Sequence, residues 1–148
     1  MNRIRPYQAS DLAACLELFD SNTPAFFDPL ERDDFKHFLE HSPDCFLVIE
    51  RDRQIVACGG YAMRPEDATA SLCWGMVDQT LHGQGLGQQL TQARLLAIRE
   101  LGQARTVRIS TSQHSQGFYA NLGFVPGKIT TDGHGPGLDC WDMHLTLE

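Results

Sequence analysis

Val77-Asp78-Gln79-Thr80-Leu81-His82-Gly83-Gln84-Gly85-Leu86-Gly87-Gln88 joins the end of an apolar strand to the start of a long amphipathic helix through a turn with glycine at every second position. Gly83, Gly85 and Gly87 let main-chain N–H groups converge and let a ligand approach the backbone closely. The free donors and positive dipole end of the following helix favour a phosphate. Two familiar phosphate loops fail here on context. A Walker loop needs Gly-Lys-Ser/Thr, and no lysine lies in this stretch. A dinucleotide fingerprint needs G-x-G-x-x-G early in a parallel βαβ unit, whereas this G-x-G-x-G follows three strands too closely spaced for crossover helices.

Those strands are Cys45–Glu50, Gln54–Met63 and Thr69–Asp78, joined by polar turns at Asp52 and at Arg64–Asp67, which predicts an antiparallel meander. Upstream, Ile4–Tyr7 reads as a strand. Ser10 is placed to cap a helix carrying Leu12, Cys15, Leu16 and Phe19 on one face. Ser21–Phe27, with Pro24, ends it. Asp28, Pro29 and Glu31 supply cap, first-turn proline and capping-box acid for a second helix that ends near Glu40, with Leu30, Phe35, Phe38 and Leu39 as its apolar face. Downstream of the glycine turn a helix runs from about Gly85 to Leu101. Its predicted buried stripe is Leu86, Leu90, Ala93, Ala97 and Leu101, and Gly102 stops it. Arg105–Ser110 follows as a strand and Ser115–Leu122 as a short helix closed by Gly123. A further strand fits Phe124–Ile129. In the last strand Trp141, Met143, Leu145 and Leu147 alternate with polar residues. Helices and strands in this order make an α+β domain spanning 1–148, with no linker that would divide it.

Ser112-Gln113-His114-Ser115-Gln116-Gly117-Phe118-Tyr119-Ala120-Asn121-Leu122-Gly123-Phe124 begins 25 residues after Gly87, one helix and one strand further on. With this segment the chain resembles the GNAT superfamily of acetyl-CoA-dependent N-acetyltransferases. The superfamily's pyrophosphate signature, Arg/Gln-x-x-Gly-x-Gly/Ala, falls on His82 to Gly87. Its second signature, Asn-x-x-Ala-x-x-Phe/Leu-Tyr-x-x-x-Gly-Phe, falls on Ser112 to Phe124. The order of elements agrees along essentially the whole chain. The implied fold is a mixed, mostly antiparallel central sheet flanked by helices on both faces. The implied co-substrate is acetyl-CoA, with no metal.

Residue by residue, the resemblance assigns the cofactor to main-chain groups at Met76 and Val77, to His82, Gly83, Gln84, Gly85, Leu86, Gly87 and Gln88, and to Ser112, Ser115 and Phe118. Three positions depart from the pattern. His82 stands for the usual Arg or Gln, Ser112 for Asn and Ser115 for Ala. Tyr119 matches the tyrosine that commonly protonates the departing CoA sulfur, and its phenol is protonated at neutral pH. Many relatives carry a glutamate on the strand before the glycine turn. Ser71 occupies that place here, so the general base is open, with Glu31 and Asp139 as candidates from elsewhere. The acceptor pocket is expected between the first two helices and a glycine-rich loop, Thr130–Asp139, read as a mobile rim that includes His134. Phe26 and Phe27 line that pocket or belong to the core.

Composition bounds the function classes. The 148 residues carry 12 basic and 19 acidic side chains, a net charge of −7, with 42% hydrophobic and 21% charged residues. Those are globular values. The acidic balance argues against nucleic acid, and no apolar run is long enough to span a membrane. Ten acidic residues against Arg32, Lys36 and Arg51 lie between Glu17 and Asp52, so the whole excess sits there. Such a stretch is either a solvated face or, beside a cleft, a bias towards a cationic acceptor. Met1–Ser10 is polar and shows no secretory leader. Cys15, Cys45, Cys58, Cys73 and Cys140 form no CxxC pair and read as buried free thiols, which points to the cytoplasm. The leading expectation is transfer of an acetyl group to a primary amine of a small molecule. Peptide or protein amines and a non-catalytic acyl-CoA-binding module stand as alternatives. The resemblance also allows a homodimer, although no segment marks an interface.

Overall fold

The computed structural model describes residues 2–41 and 43–147. The elements are β1 (Asn2–Pro6), α1 (Leu12–Ser21), α2 (Arg32–His41), β2 (Phe46–Arg51), β3 (Gln54–Arg64), β4 (Thr69–Val77), α3 (Leu86–Leu101), β5 (Thr106–Thr111), α4 (Gln116–Asn121), β6 (Val125–Gly135) and β7 (Leu138–Thr146). They build one seven-stranded sheet in the order β1-β2-β3-β4-β5-β7-β6. Every neighbouring pair is antiparallel except β4 and β5. That parallel pairing joins only Thr69–Ser71 to Thr106–Arg108, so the rest of β4 diverges from β5.

Adjacent residues of the central strands show where the helices lie, because side chains alternate between faces. Val48 and Cys58 pack with Cys15, Leu16, Leu18 and Phe19 of α1 and with Phe35 and Leu39 of α2. Their neighbours Ile49 and Ala57 pack with Leu86 and Leu90 of α3. Helices therefore cover both faces, as expected for this α+β class. Further along α3, Leu95 and Ile98 join Ala70, Leu72, Val107, Ile109, Met143 and Tyr119 in a third cluster.

Several local expectations change. The chain enters α1 through a 3-10 turn, Ala9–Asp11, so Ser10 is not its cap. Asp11 reaches back instead, its carboxylate accepting from the Gln8 N–H at 2.8 Å. Leu30 is 86% exposed, because it lies in the 3-10 turn before α2. Phe27 from the preceding connection packs on the cluster of α1 and α2, together with Phe38. The α3 stripe is Leu86, Leu90, Thr91, Arg94, Leu95 and Ile98. Ala93 and Ala97 are half-buried at its margin, and Leu101 is exposed at the helix end. Thr130–Asp139 is a hairpin between β6 and β7, with β6 extending to Gly135. All five cysteines are free, but Cys45 is exposed, and only Cys15 and Cys58 are fully buried. No helix among the described residues is long and apolar enough to cross a membrane.

Asp11 also ties β1 to α1. Arg5 donates to both of its carboxylate oxygens, at 2.8 and 3.0 Å, and this partner holds the Asp11 carboxyl below the usual range. Because the folded group is the stronger acid, its stabilisation is present above the unfolded pKa and is lost as pH falls through the folded one. Asp11→Asn is expected to cost about 2 kcal/mol at neutral pH. In denaturant titrations the gap from wild type should close below the ordinary carboxylate range.

Candidate active site

The divergence of β4 from β5 opens a cleft of about 1400 Å³ whose walls are Ser71–Val77 and Ile109–Ser112. Residues of α3, from Leu86 to Arg94, line it as well. Within β4 the pairing with β3 slips between Cys58 and Gly60, where Trp74 adopts φ 50°. The slip is a β-bulge, which turns the strand away from its neighbour. Beyond it, the Asp78 N–H donates to Val56 O at 2.9 Å. Strand alternation therefore turns the N–H and C=O of Val77 away from β3 and towards the cleft. The Val77 carbonyl accepts from Asn22 Nδ2 at 2.9 Å and from His82 Nε2 at 2.9 Å.

One end of the cleft is the glycine turn. Gly83 and Gly85 have φ of 83° and 85°, the left-handed region, and a Cβ at either would meet nothing within 4 Å. Backbone conformation is thus their requirement. Gly87 is closely packed, since a Cβ there would lie 3.3 Å from Phe118 Cζ and that ring would have to shift by a few tenths of an ångström. Gly85 is the N-cap of α3, with no side-chain cap, and its carbonyl accepts the first helical bond from Gln89 N. The N–H groups of Leu86, Gly87 and Gln88 have no partner in the helix and stand at its positive end.

The expected site residues are brought together here with one exception. Met76, Val77, His82, Gly83, Gly85, Leu86, Gly87, Gln88, Ser112, Ser115, Phe118 and Tyr119 all line the cleft. Gln84 does not, and its side chain accepts from Arg51 Nη1 at 3.2 Å. The His82 ring is turned back onto Val77 and meets Phe26 edge-on at 5.2 Å between centroids. Ser112 organises the start of α4. Its carbonyl accepts from the N–H groups of Ser115 and Gln116, and its hydroxyl from that of His114. Tyr119 is 7% exposed, packed edge-on against Phe118 at 5.0 Å and Phe124 at 5.7 Å.

At the other end, the α1–α2 connection meets the β6–β7 hairpin. Phe26 bridges His82 and His114, whereas Phe27 belongs to an aromatic group with Phe19 and Trp74. Glu31 and His134 face the same space. Burial pushes the half-buried Glu31 carboxyl above its ordinary range, against the Asp28 N–H and the His134 ring, which pull it down. His134 donates from Nε2 to Thr111 O at 3.2 Å. A Cβ on Gly135 would fall onto the Asp28 carboxylate, so that glycine lets the hairpin meet the turn before α2. The hairpin tip is also tied down. Gln113 donates to Gly137 O at 2.8 Å and accepts from Asp139 N at 2.9 Å, and Asp132 accepts from Gly137 N at 2.9 Å. A hydrogen-bonded hairpin replaces the expected mobile rim. Asp139 spends its carboxylate on Asp132 N and does not line the cleft, which removes it as a candidate base.

Sequence reasoning missed Asn22, Trp74 and Arg94. Arg94 carried a readable signal, for Leu86, Leu90, Arg94 and Ile98 follow one another at four-residue spacing. Among the described residues, no three His, Cys, Asp or Glu side chains are grouped to hold a metal ion.

Replacing Gly85 by Ala places an L side chain in the left-handed region with no clash, so the cost is conformational, about 1–2 kcal/mol. Chemical denaturation of Gly85→Ala measures it. A loss well under half of that would contradict this account of the turn.

A structure of an N-acetyltransferase from Staphylococcus aureus Mu50 superposes with a TM-score of 0.79 at 20% identity, covering 100% of this chain and 99% of that one. The Rv2747 protein of Mycobacterium tuberculosis, in complex with CoA, gives 0.79 at 20% identity, over 99% of each chain. The ribosomal-protein-S18-alanine N-acetyltransferase of Escherichia coli gives 0.81 at 19% identity, over 100% of this chain and 95% of that one. At such identities these likenesses establish the fold. No curated protein matches the sequence. The model of the acetyltransferase (GNAT) family matches residues 12–124, most of the chain and both sequence signatures, and the chain belongs to that family of acyltransferases.

Proposed function

We propose that this protein transfers an acetyl group from acetyl-CoA to a primary amine of a small molecule by direct attack, with Tyr119 as general acid. The observation that carries the reading is one continuous cleft from the uncapped N-terminus of α3, past the divergent β4, to Tyr119. The free N–H groups of α3 suit a pyrophosphate, and the space between β4 and β5 suits an extended pantetheine arm. CoA is bound in the structurally similar Mycobacterium tuberculosis protein.

In the reaction the amine nitrogen bonds to the acyl carbon, and negative charge collects on the carbonyl oxygen. The carbon–sulfur bond then breaks with its electron pair going to sulfur. Tyr119 gives its proton to that sulfur and is reprotonated from water, while the attacking nitrogen loses its own proton to a base. Val77, whose main chain faces the cleft, is suited to donate to the oxygen. Glu31 is suited to take the amine proton, being half-buried, lining the cleft and held as a weaker acid by burial. It also supports a cationic acceptor, since it brings one charge of the acidic Glu17–Asp52 stretch to the site. A second reading, transfer to a peptide amine, draws on the exposed sheet face beyond Tyr119. There Arg108, Lys128 and His144 extend the cleft lining. The Escherichia coli structural neighbour acts on a ribosomal-protein alanine.

Chromatographic detection of CoA released from acetyl-CoA, with pooled amines, amino acids and peptides, tests the proposal and separates its acceptor classes. Release with a small-amine pool is expected. Release with peptides alone transfers the reading to the second acceptor class. Silence in every pool, with acetyl-CoA bound, favours a binding module. Tyr119→Phe is expected to keep donor affinity while turnover falls at least about tenfold, or 1.4 kcal/mol in the barrier. Unchanged turnover removes the acid role. Because burial raises the Glu31 pKa and a base works deprotonated, activity should rise with pH through a value above the ordinary carboxylate range. Glu31→Gln should abolish that limb of the pH–rate profile.

A further inference from the structure

Four side chains of α3 point at the sheet at four-residue spacing, and each is at most 1% exposed: Leu86, Leu90, Arg94 and Ile98. Three are apolar, and the fourth is a guanidinium among the largest fully buried side chains. Among the described residues no carboxylate lies within ion-pair distance of Arg94. Nη1 donates to Gly60 O at 3.2 Å and Nη2 to Thr91 Oγ1 at 3.3 Å, both long and both to neutral acceptors, while Nε has no partner. The surroundings are cut to admit it. A Cβ on Gly59 would lie 3.0 Å from Nη1, and one on Gly75 would lie 2.9 Å from Nη2.

A buried cation without a counter-charge costs several kcal/mol, and a leucine or methionine would fill the same space at less expense. Position within the cleft offers a reason. Arg94 is nine residues after Gly85, which places it about 13 Å deeper along the helix axis at 1.5 Å per residue. It is the most distant α3 residue of the cleft lining, directly against Gly75 in the bulge of β4. With a pyrophosphate on the turn at Gly85, a pantetheine arm between β4 and β5 runs towards that end of the cleft.

We infer that Arg94 makes the inner end of the cleft an anion site, a fixed positive charge that supports the negative charge appearing on the thioester oxygen and then on the departing sulfur. The inference rests on the donor reading above and adds a residue to it. Arg94 need not touch the acyl group, because an uncompensated charge in a water-poor interior acts over several ångströms. It is therefore a positioning residue, acting through its field and through its bond to Gly60 on the strand paired with the bulge. The neighbouring thiol senses the same field. Burial pushes the Cys73 thiol up, and Arg94 pulls it down. Cys73 lines the cleft, so the charge reaches into it.

The test compares two CoA derivatives of matched shape at the sulfur, S-carboxymethyl-CoA, which carries an added carboxylate, and S-carbamoylmethyl-CoA, which is neutral there. Calorimetric titration of the full chain is expected to show the charged derivative binding at least about tenfold tighter, equivalent to 1.4 kcal/mol. Arg94→Met should abolish the preference, and Arg94→Lys, which retains the charge, should keep it. Equal affinities in the wild type overturn the inference, and that comparison needs no variant to fold. A folded Arg94→Met that keeps the preference, or an Arg94→Lys that loses it, also overturns it. A purely structural role for Arg94 would weaken both derivatives alike. If acetyl-CoA and both derivatives fail to bind, the donor reading falls and this inference with it. Acetyl-CoA binding with equal affinity for the two derivatives removes only the inference.

Discussion

Parallel pairing between β4 and β5 stops at Ser71 and Arg108, and the remaining length of each strand has no partner on that side. An open seam in the middle of a sheet leaves main-chain donors and acceptors unpaired, a cost that folded proteins tolerate only where something else satisfies them. Part of the answer lies within the chain, since Asn22 and His82 occupy the Val77 carbonyl. The rest fits a ligand with amide groups that enters the seam as a substitute strand. Bulge, glycine turn and buried arginine all gather around this break. Trp74 at positive φ turns β4 aside, Gly59 and Gly75 admit Arg94 beneath the bend, and the first turn of α3 presents free N–H groups at the mouth.

Charge is distributed along the cleft in a way that suits the chemistry. Its mouth offers main-chain donors, its inner end a buried cation, and its acceptor side the carboxylate of Glu31 facing His134. A donor rich in phosphate and an acceptor that arrives as a cation would thus enter regions of opposite potential. The acidic stretch of the sequence contributes to this mainly through Glu31. Other members of the stretch serve the fold, as Asp20 does by accepting from Arg32 and Asp28 by capping the turn before α2.

Much of this was legible in the sequence because the decisive features are local. A glycine turn, a helix stop and a short motif ending in Gly123-Phe124 are written in consecutive residues, and the alternation of the last strand predicts its buried side. Misread features depend on the local form of a helix entry or on partners distant in the chain. Leu30 has the spacing of a helix face but lies in a 3-10 turn, where the face rotates away. The glycines of Thr130–Asp139 suggested an open loop, yet pairing with β7 and the bonds from Gln113 make it a hairpin. Arg94 sat in plain view at four-residue spacing, but a long cation in an apolar stripe is ordinarily read as the stripe's edge. Only the two glycines on β3 and β4, far away in sequence, make room for it.

The central claim is spatial: one ligand runs from the first turn of α3, through the break in the sheet, to Tyr119. A crystal structure of the acetyl-CoA complex tests it most directly. The account predicts pyrophosphate oxygens on the N–H groups of Leu86, Gly87 and Gln88. It also predicts the pantetheine arm lying between β4 and β5, with the thioester between Val77 and the Tyr119 hydroxyl. A cofactor bound outside the β4–β5 seam, or a thioester out of reach of Tyr119, would contradict it.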